Sequence, residues 1–306
     1  EKKTVQIFGN MYQRRNLSEE LKHQLKNGTM TNRIVIANVV VFLFIHTFLA
    51  IGRMSDQDLF PLIDVIFTLN TSWKEFLMMP WGVFTSIFTH FDLSHIFFNM
   101  IFLYFAGNMF ERFFSGKKLL LVYIFGGLLG GVSEILNTTL FSSAYEAHHV
   151  IGASGSVMAI FTALAFYSPN TKVHLFGILP VRLFLLALFF LATDLIGIGK
   201  EGDNIAHFAH LGGAFFGFLA VQNINTTKNV IFQIERLQEK IKNLFKKKPK
   251  MYYTRSDQHK TDEQYNFDKR KKQERTDIIL DKISKSGYDS LTKEEKDFLF
   301  NQSKNG

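Results

Sequence analysis

RIVIANVVVFLFIHTFLAI, residues 33–51, decides the fold class. A helix that crosses a bilayer takes about 20 predominantly apolar residues, and this run supplies them with a single charge, Arg33, at its start. Working outward, five more apolar runs follow at about 88–110, 119–137, 151–167, 181–199 and 205–222. The chain has 306 residues and 47% hydrophobic content, concentrated between about residues 33 and 222, and its 34 Phe suit lipid-facing helix surfaces. The pattern predicts an all-α membrane protein, a bundle of six transmembrane helices with a small C-terminal cytoplasmic helical tail. The fourth and sixth runs are short and rich in Gly and Ala. The connection 52–87 is semi-apolar but broken by Pro61, Asp64, Pro80 and Gly82, so it reads as an interfacial or partly inserted loop. Trp73 and Trp81 within it fit a membrane–water boundary.

The charges give an orientation. Lys and Arg number seven through Arg33, two in 52–87, three in 112–118, none in 138–150, two in 168–182, one in 200–204 and twenty beyond 222. High and low counts alternate, which places the N- and C-termini in the cytoplasm. The net charge of +8 comes mostly from the tails. Tails that flank spans are explained by topology, so no nucleic-acid partner is read from them. There is no cysteine, hence no disulfide and no thiolate metal site. The opening EKKTVQIFGNMYQRR is polar and shows no cleavable signal or targeting segment, which leans toward a bacterial inner (plasma) membrane.

Four segments follow from this. Residues 1–32 are a basic cytoplasmic segment with a helix at about Leu17–Lys26, which Ser18 could cap. Residues 33–222 are the six-span domain. Residues 223–275 are an amphipathic run (228–245), a basic cluster (Lys246, Lys247, Lys248, Lys250) open to anionic lipid, and a polar, flexible linker. Residues 276–306 read as a helical hairpin turned at Gly287, with Thr292 and Glu295 as a capping box.

Polar groups inside apolar runs point to function by default. They are His90, His95 and Asn99, then Gly152-Ala153-Ser154-Gly155, then His207 and His210. Spans two, four and six run in the same direction, so His95, Asn99, Ser154 and His210 all fall toward the outer end. Ser154 needs a base to become a nucleophile, and His210 is the natural one. Ala209, Gly213 and Gly217 in span six, and Gly155, Ala159 and Ala163 in span four, repeat at steps of four. Small residues at that spacing let two backbones approach closely. The Ser154 N–H, the Asn99 amide and the His95 imidazole could hold an oxyanion. Asp194 lies at a compatible depth in span five, but it reads as a helix-end cap or a loop partner rather than an acid behind the base.

HFDLSHIFFNM (90–100), GASG (152–155) and AHLGGAFFG (209–217), in this order, resemble the rhomboid intramembrane serine proteases. So do Trp81, Thr85 and the G-x-x-x-E-R run from Gly107 to Arg112. The resemblance implies a serine endopeptidase with a Ser154–His210 dyad and no third acid. It implies that His95, Asn99 and Gly152 line the oxyanion and substrate site, with no cofactor and no metal. His90 would tie the first loop to span two, and Glu111 and Arg112 would hold the cytoplasmic side. The substrate would be a transmembrane or juxtamembrane segment of another membrane protein. Two departures stand out. Gly82 replaces an Arg or Gln usual in the family, which is expected to loosen the first loop. Met158 replaces an aromatic that stacks on the base, although a thioether can still pack on a ring.

Two other readings compete. A metal-binding transporter could draw on His90, His95, His207 and His210, but no H-E-x-x-H is present. A catalytically silent rhomboid-like binding protein is disfavoured by the presence of both Ser154 and His210. His207 is a rival base, and His148 and His149 read as outer-loop residues.

Overall fold

The computed structural model describes residues 16–141, 146–175, 178–200, 205–245 and 262–304. They fall into two units that divide after Phe245. In the first, α1 (Leu17–Asn27) is followed by α2 (Met30–Met54). The residue capping α1 is Asn16, not Ser18: the Asn16 side chain accepts from the Glu19 N–H at 2.8 Å, and the Ser18 hydroxyl only donates to Asn16. Then come α3 (Phe60–Phe67), β1 (Leu69–Asn70), α4 (Trp73–Met78) and α5 (Gly82–Thr85). The long helices α6 (Leu93–Phe113) and α7 (Gly116–Leu140) follow, then β2 (His149–Val150) and α8 (Ser154–Tyr167). A hairpin of β3 (Lys172–Leu175) and β4 (Leu179–Arg182) leads into α9 (Leu183–Gly197), α10 (His207–Val221) and α11 (Val230–Phe245).

The protein is mostly helical. Helices α2, α6 and α7 are long and apolar enough to cross a membrane, while the apolar helices α8, α9 and α10 are shorter. Helix α8 explains the composition of the fourth run. Every residue from Gly155 to Ala165 is buried, so α8 is the central strut of the bundle. A helix apolar all round belongs inside, and small side chains let its neighbours close on it. The spacing of small residues is realised as a seam: a Cβ on Gly213 would stand 2.8 Å from the Gly155 carbonyl carbon, and one on Gly217 2.8 Å from that of Ala159. Helix α7 packs on the same assembly, where Gly126 lies against Ala159 and Gly130 against Ala209.

Two tethers shape the ends. Glu111 of α6 accepts from the Met30 N–H (2.9 Å), the Thr31 N–H (2.9 Å) and the Thr31 hydroxyl (2.5 Å). It therefore caps the N-terminus of α2, where the first N–H groups have no partner within the helix. On the other side, β1 pairs antiparallel with β2, Leu69 opposite Val150 and Asn70 opposite His149. No strand is expected from the sequence. This short ladder is how the first loop is fastened to the segment preceding Ser154. Gly82 does not loosen that loop: it is buried, and a Cβ there would run into the Thr68 carbonyl, so a longer side chain has no room. Trp81 donates its indole N–H to the Val65 carbonyl at 3.0 Å, closing the loop on itself.

In the second unit, α12 (Asp262–Ser286) and α13 (Lys293–Lys304) form a hairpin around Gly287, whose φ is +77°. Thr292 and Glu295 form the reciprocal capping box, and Lys282 pairs with Glu295 at 2.9 Å. The helix begins at Asp262, well inside the stretch expected to be a flexible linker. Its start is highly polar, and Arg275 from that stretch lies over the Phe298 ring at 4.8 Å. The basic cluster at 246–250 and residues 251–261 lie outside the described residues.

Candidate active site

Ser154 is the first residue of α8, presented by a turn that the protein fixes at several points. Gly152 has φ +115°, in the region that favours glycine. A Cβ there would also lie 2.7 Å from two atoms of the His95 ring. The Gly152 N–H donates to the Ser86 carbonyl at 2.9 Å, and the Ala153 N–H donates to His90 Nε2 at 3.3 Å. His90 is fully buried and meets the His95 ring edge-on, with centroids 4.9 Å apart. His90 thus supports the turn that carries Ser154, and His95 faces the turn directly.

Helix α10 enters from the other side. Its N-terminus is held by Glu134 of α7, a buried carboxylate that accepts from the Ala209 N–H at 2.9 Å. An anion is favourable at that end of a helix, and here it fixes the residue next to His210.

Two cavities meet at Ser154 and His210. One, about 350 Å³, is mainly apolar, with Phe98, Phe102, Met158 and Phe161 among its walls. Met158, where an aromatic was the family expectation, is therefore a wall shared with the serine and the histidine. The other, about 850 Å³, is the more polar of the two, and His95, Glu134, His148 and His149 border it. Asn99 and His207 belong to both. Ser154, His210, His95 and Asn99 are thus brought to one place, and Gly152 lies behind His95. No direct hydrogen bond joins Ser154 to His210 among the described residues. Asn99 spends one amide hydrogen on the His95 carbonyl at 3.0 Å, which leaves the other to point elsewhere.

Asp194 is placed differently from the sequence-based expectation. Its carboxylate neither caps a helix nor pairs with a loop. Its Oδ1 lies 2.7 Å from His210 Nδ1 and 2.8 Å from His207 Nδ1. An acid therefore stands behind His210, and a carboxylate distant in sequence does neighbour the histidines in space. The three ligating atoms lie within 4.8 Å of one another, close enough for a metal ion. This set differs from the four histidines that the competing metal reading would use, and His90 among them is engaged with Ala153. His148 and His149 also have acids. His148 Nε2 lies 3.5 Å from Glu134, which raises the His148 pKa above its usual value, and His149 Nδ1 lies 2.7 Å from Asp64.

Residues 78–224 match the Rhomboid domain family, and residues 259–305 match a family of unknown function, DUF6576. Among curated relatives, RHOMBOID-like protein 12, mitochondrial, of Arabidopsis thaliana is 33% identical over 147 residues, 44% of this chain and 44% of that protein. Rhomboid protease GluP of Bacillus subtilis (strain 168) is 24% identical over 148 residues, 48% of this chain and 27% of that protein. Rhomboid protease GlpG of Haemophilus influenzae is 29% identical over 143 residues, 45% of this chain and 69% of that protein. The chain spans less than half the length of the first two.

Proposed function

We propose, from the premise that residues 78–224 are a rhomboid domain, that this chain is an intramembrane serine endopeptidase. It would cut transmembrane or juxtamembrane segments of other membrane proteins. The observation that carries this reading is the meeting of an apolar cavity and a more polar one at Ser154 and His210. The apolar slot suits a substrate side chain, and the polar cavity supplies the water that a hydrolase needs.

In this reading Ser154 Oγ attacks the scissile carbonyl while His210 Nε2 takes its proton. The Ser154 N–H at the start of α8, the second amide hydrogen of Asn99 and the His95 ring receive the oxyanion. His210 returns the proton to the leaving amine, and an acyl ester on Ser154 remains. Water from the more polar cavity then gives a proton to His210 and attacks the ester; as the acyl–Oγ bond breaks, His210 returns that proton to Ser154 Oγ and the carboxylic acid product leaves. The reading requires no cofactor.

The topology belongs to the same proposal. A 14-residue helix such as α8 rises only about 21 Å, against roughly 30 Å of hydrocarbon. Six crossings therefore need the flanks of α8, α9 and α10 to reach the boundaries, with both termini on the Lys- and Arg-rich side. We place that side in the cytoplasm of a bacterium.

Cleavage of a model membrane substrate in liposomes tests the function. Wild type should cut, Ser154→Ala and His210→Ala should not, and a chelator should change nothing. The cluster of Asp194, His207 and His210 supports one rival, a metal-dependent site. Cleavage by Ser154→Ala, or its abolition by chelator, would transfer the assignment to that rival.

A further inference from the structure

We propose that Asp194 is a positioning residue for the base, so that the site works as Ser154, His210 and Asp194 rather than as a pair. This deepens the serine endopeptidase reading and rests on it. Asp194 is the sole acid in α9 and is 6% exposed. A carboxylate buried in so apolar a helix needs strong partners. Those found are two imidazoles of α10, three residues apart and so on one helix face.

The geometry fixes the rings. An ionised carboxylate can only accept, so His207 and His210 each place a proton on Nδ1 and donate it to Asp194. That leaves His210 Nε2 with its lone pair, the form a general base requires. When the base takes the serine proton, Asp194 is the anion in contact with the new imidazolium. His207 makes the arrangement rigid. It holds the same carboxylate oxygen, and it packs against Gly197 so closely that a Cβ there would meet its ring.

A purely structural role fits less well. The N-terminus of α10 already has its acid in Glu134. The C-terminus of α9 is closed by the Asp194 backbone carbonyl, which accepts from the Ile198 N–H at 3.2 Å. Among the described residues, the Asp194 side chain bonds only to the two histidines. Other charged or titratable groups around His210 are His95, Asp92, His148, His149 and Lys200 in the shared cavity and Glu134 at the start of α10. None of them is bonded to the His210 ring.

The test compares wild type with Asp194→Asn and Asp194→Ala in liposomes, reading kcat and KM separately. The rate at which a fluorophosphonate labels Ser154 is read in parallel. In serine proteases of other folds, an Asn at the corresponding acid lowers kcat by about 10⁴-fold. Here kcat should fall about 10²- to 10⁴-fold with KM nearly unchanged, and labelling of Ser154 should slow in step. Formate should restore at least part of the Asp194→Ala activity and none of the Ser154→Ala or His210→Ala activity. An Asp194→Asn enzyme within threefold of wild type overturns the proposal, as does a folded Asp194→Ala enzyme on which formate has no effect. If Asp194→Ala does not fold, the kcat, KM and labelling of Asp194→Asn decide alone. Ser154→Ala that still cuts sinks the protease reading itself, a result distinct from either.

Discussion

Replacing Gly213 with alanine inserts one methyl group into the seam between α8 and α10. Its Cβ would lie 2.8 Å from the Gly155 carbonyl carbon and 3.1 Å from the Gly155 Cα, with the carbonyl oxygen closer still. Carbon atoms pack best at about 3.5–4.0 Å, so the helices must part by roughly 1 Å there. Overpacking of this kind costs about 1–3 kcal/mol. The effect on rate should be disproportionate, because Gly213 is one turn from His210 and Gly155 adjoins Ser154. A misplacement of about 1 Å can lower a rate about 100-fold. Gly217→Ala is the internal control. Its Cβ would stand 2.8 Å from the Ala159 carbonyl carbon, a matching clash about 6 Å further along the axis. Both variants should melt earlier in detergent by similar amounts, while kcat on a reconstituted substrate falls much further in Gly213→Ala. Wild-type melting and wild-type kcat in Gly213→Ala would refute the argument, and so would equal kcat losses in the two variants.

Three further outcomes are expected. Glu111→Gln keeps one good acceptor for the start of α2 but loses the charge that three donors share; about 1–3 kcal/mol of stability should go, read by thermal unfolding, with cleavage by the folded enzyme unchanged. His90→Ala orphans the buried Ala153 N–H, so kcat should fall about tenfold or more while His90→Gln restores part of it; a wild-type rate in His90→Ala would show that the turn does not need this support. His148 has a pKa raised above 6.5, first by its bond to Glu134, so its stabilising contribution is complete below pH 6.5 and is lost as pH rises through the raised value. The melting temperatures of wild type and His148→Gln should therefore diverge below pH 6.5 and converge above the raised pKa, and a difference independent of pH would count against the ion pair.

The seam of small residues and the grouping of Ser154, His210, His95 and Asn99 at one place are legible in the sequence because each follows a local spacing. Steps of four put Gly155 and Ala159 against Gly213 and Gly217, and burial of α8 explains its Gly and Ala content. The short ladder between β1 and β2 is not legible. Strands of two residues carry no alternation to detect, and their pairing depends on how the first loop folds back. The start of α12 escapes because its polarity suggests flexibility, although charged residues also form helices when a partner packs on them, as Phe298 does on Arg275.

The two buried acids within apolar helices are the clearest signal that spacing leaves unused. Glu134 and Asp194 are the sole carboxylates in α7 and α9, and a lone buried carboxylate must find donors within the protein. Sequence spacing cannot name those donors, because Glu134 reaches Ala209 across 75 positions and Asp194 reaches His210 across 16. Chemistry narrows them. The same apolar core contains His207 and His210, whose ring N–H groups need acceptors as much as the carboxylates need donors. Matching buried donors to buried acceptors, rather than seeking a known motif, pairs Asp194 with His207 and His210 on chemical grounds. The pairing also explains why the acid is easy to dismiss: it sits on α9, which carries none of the recognisable motifs.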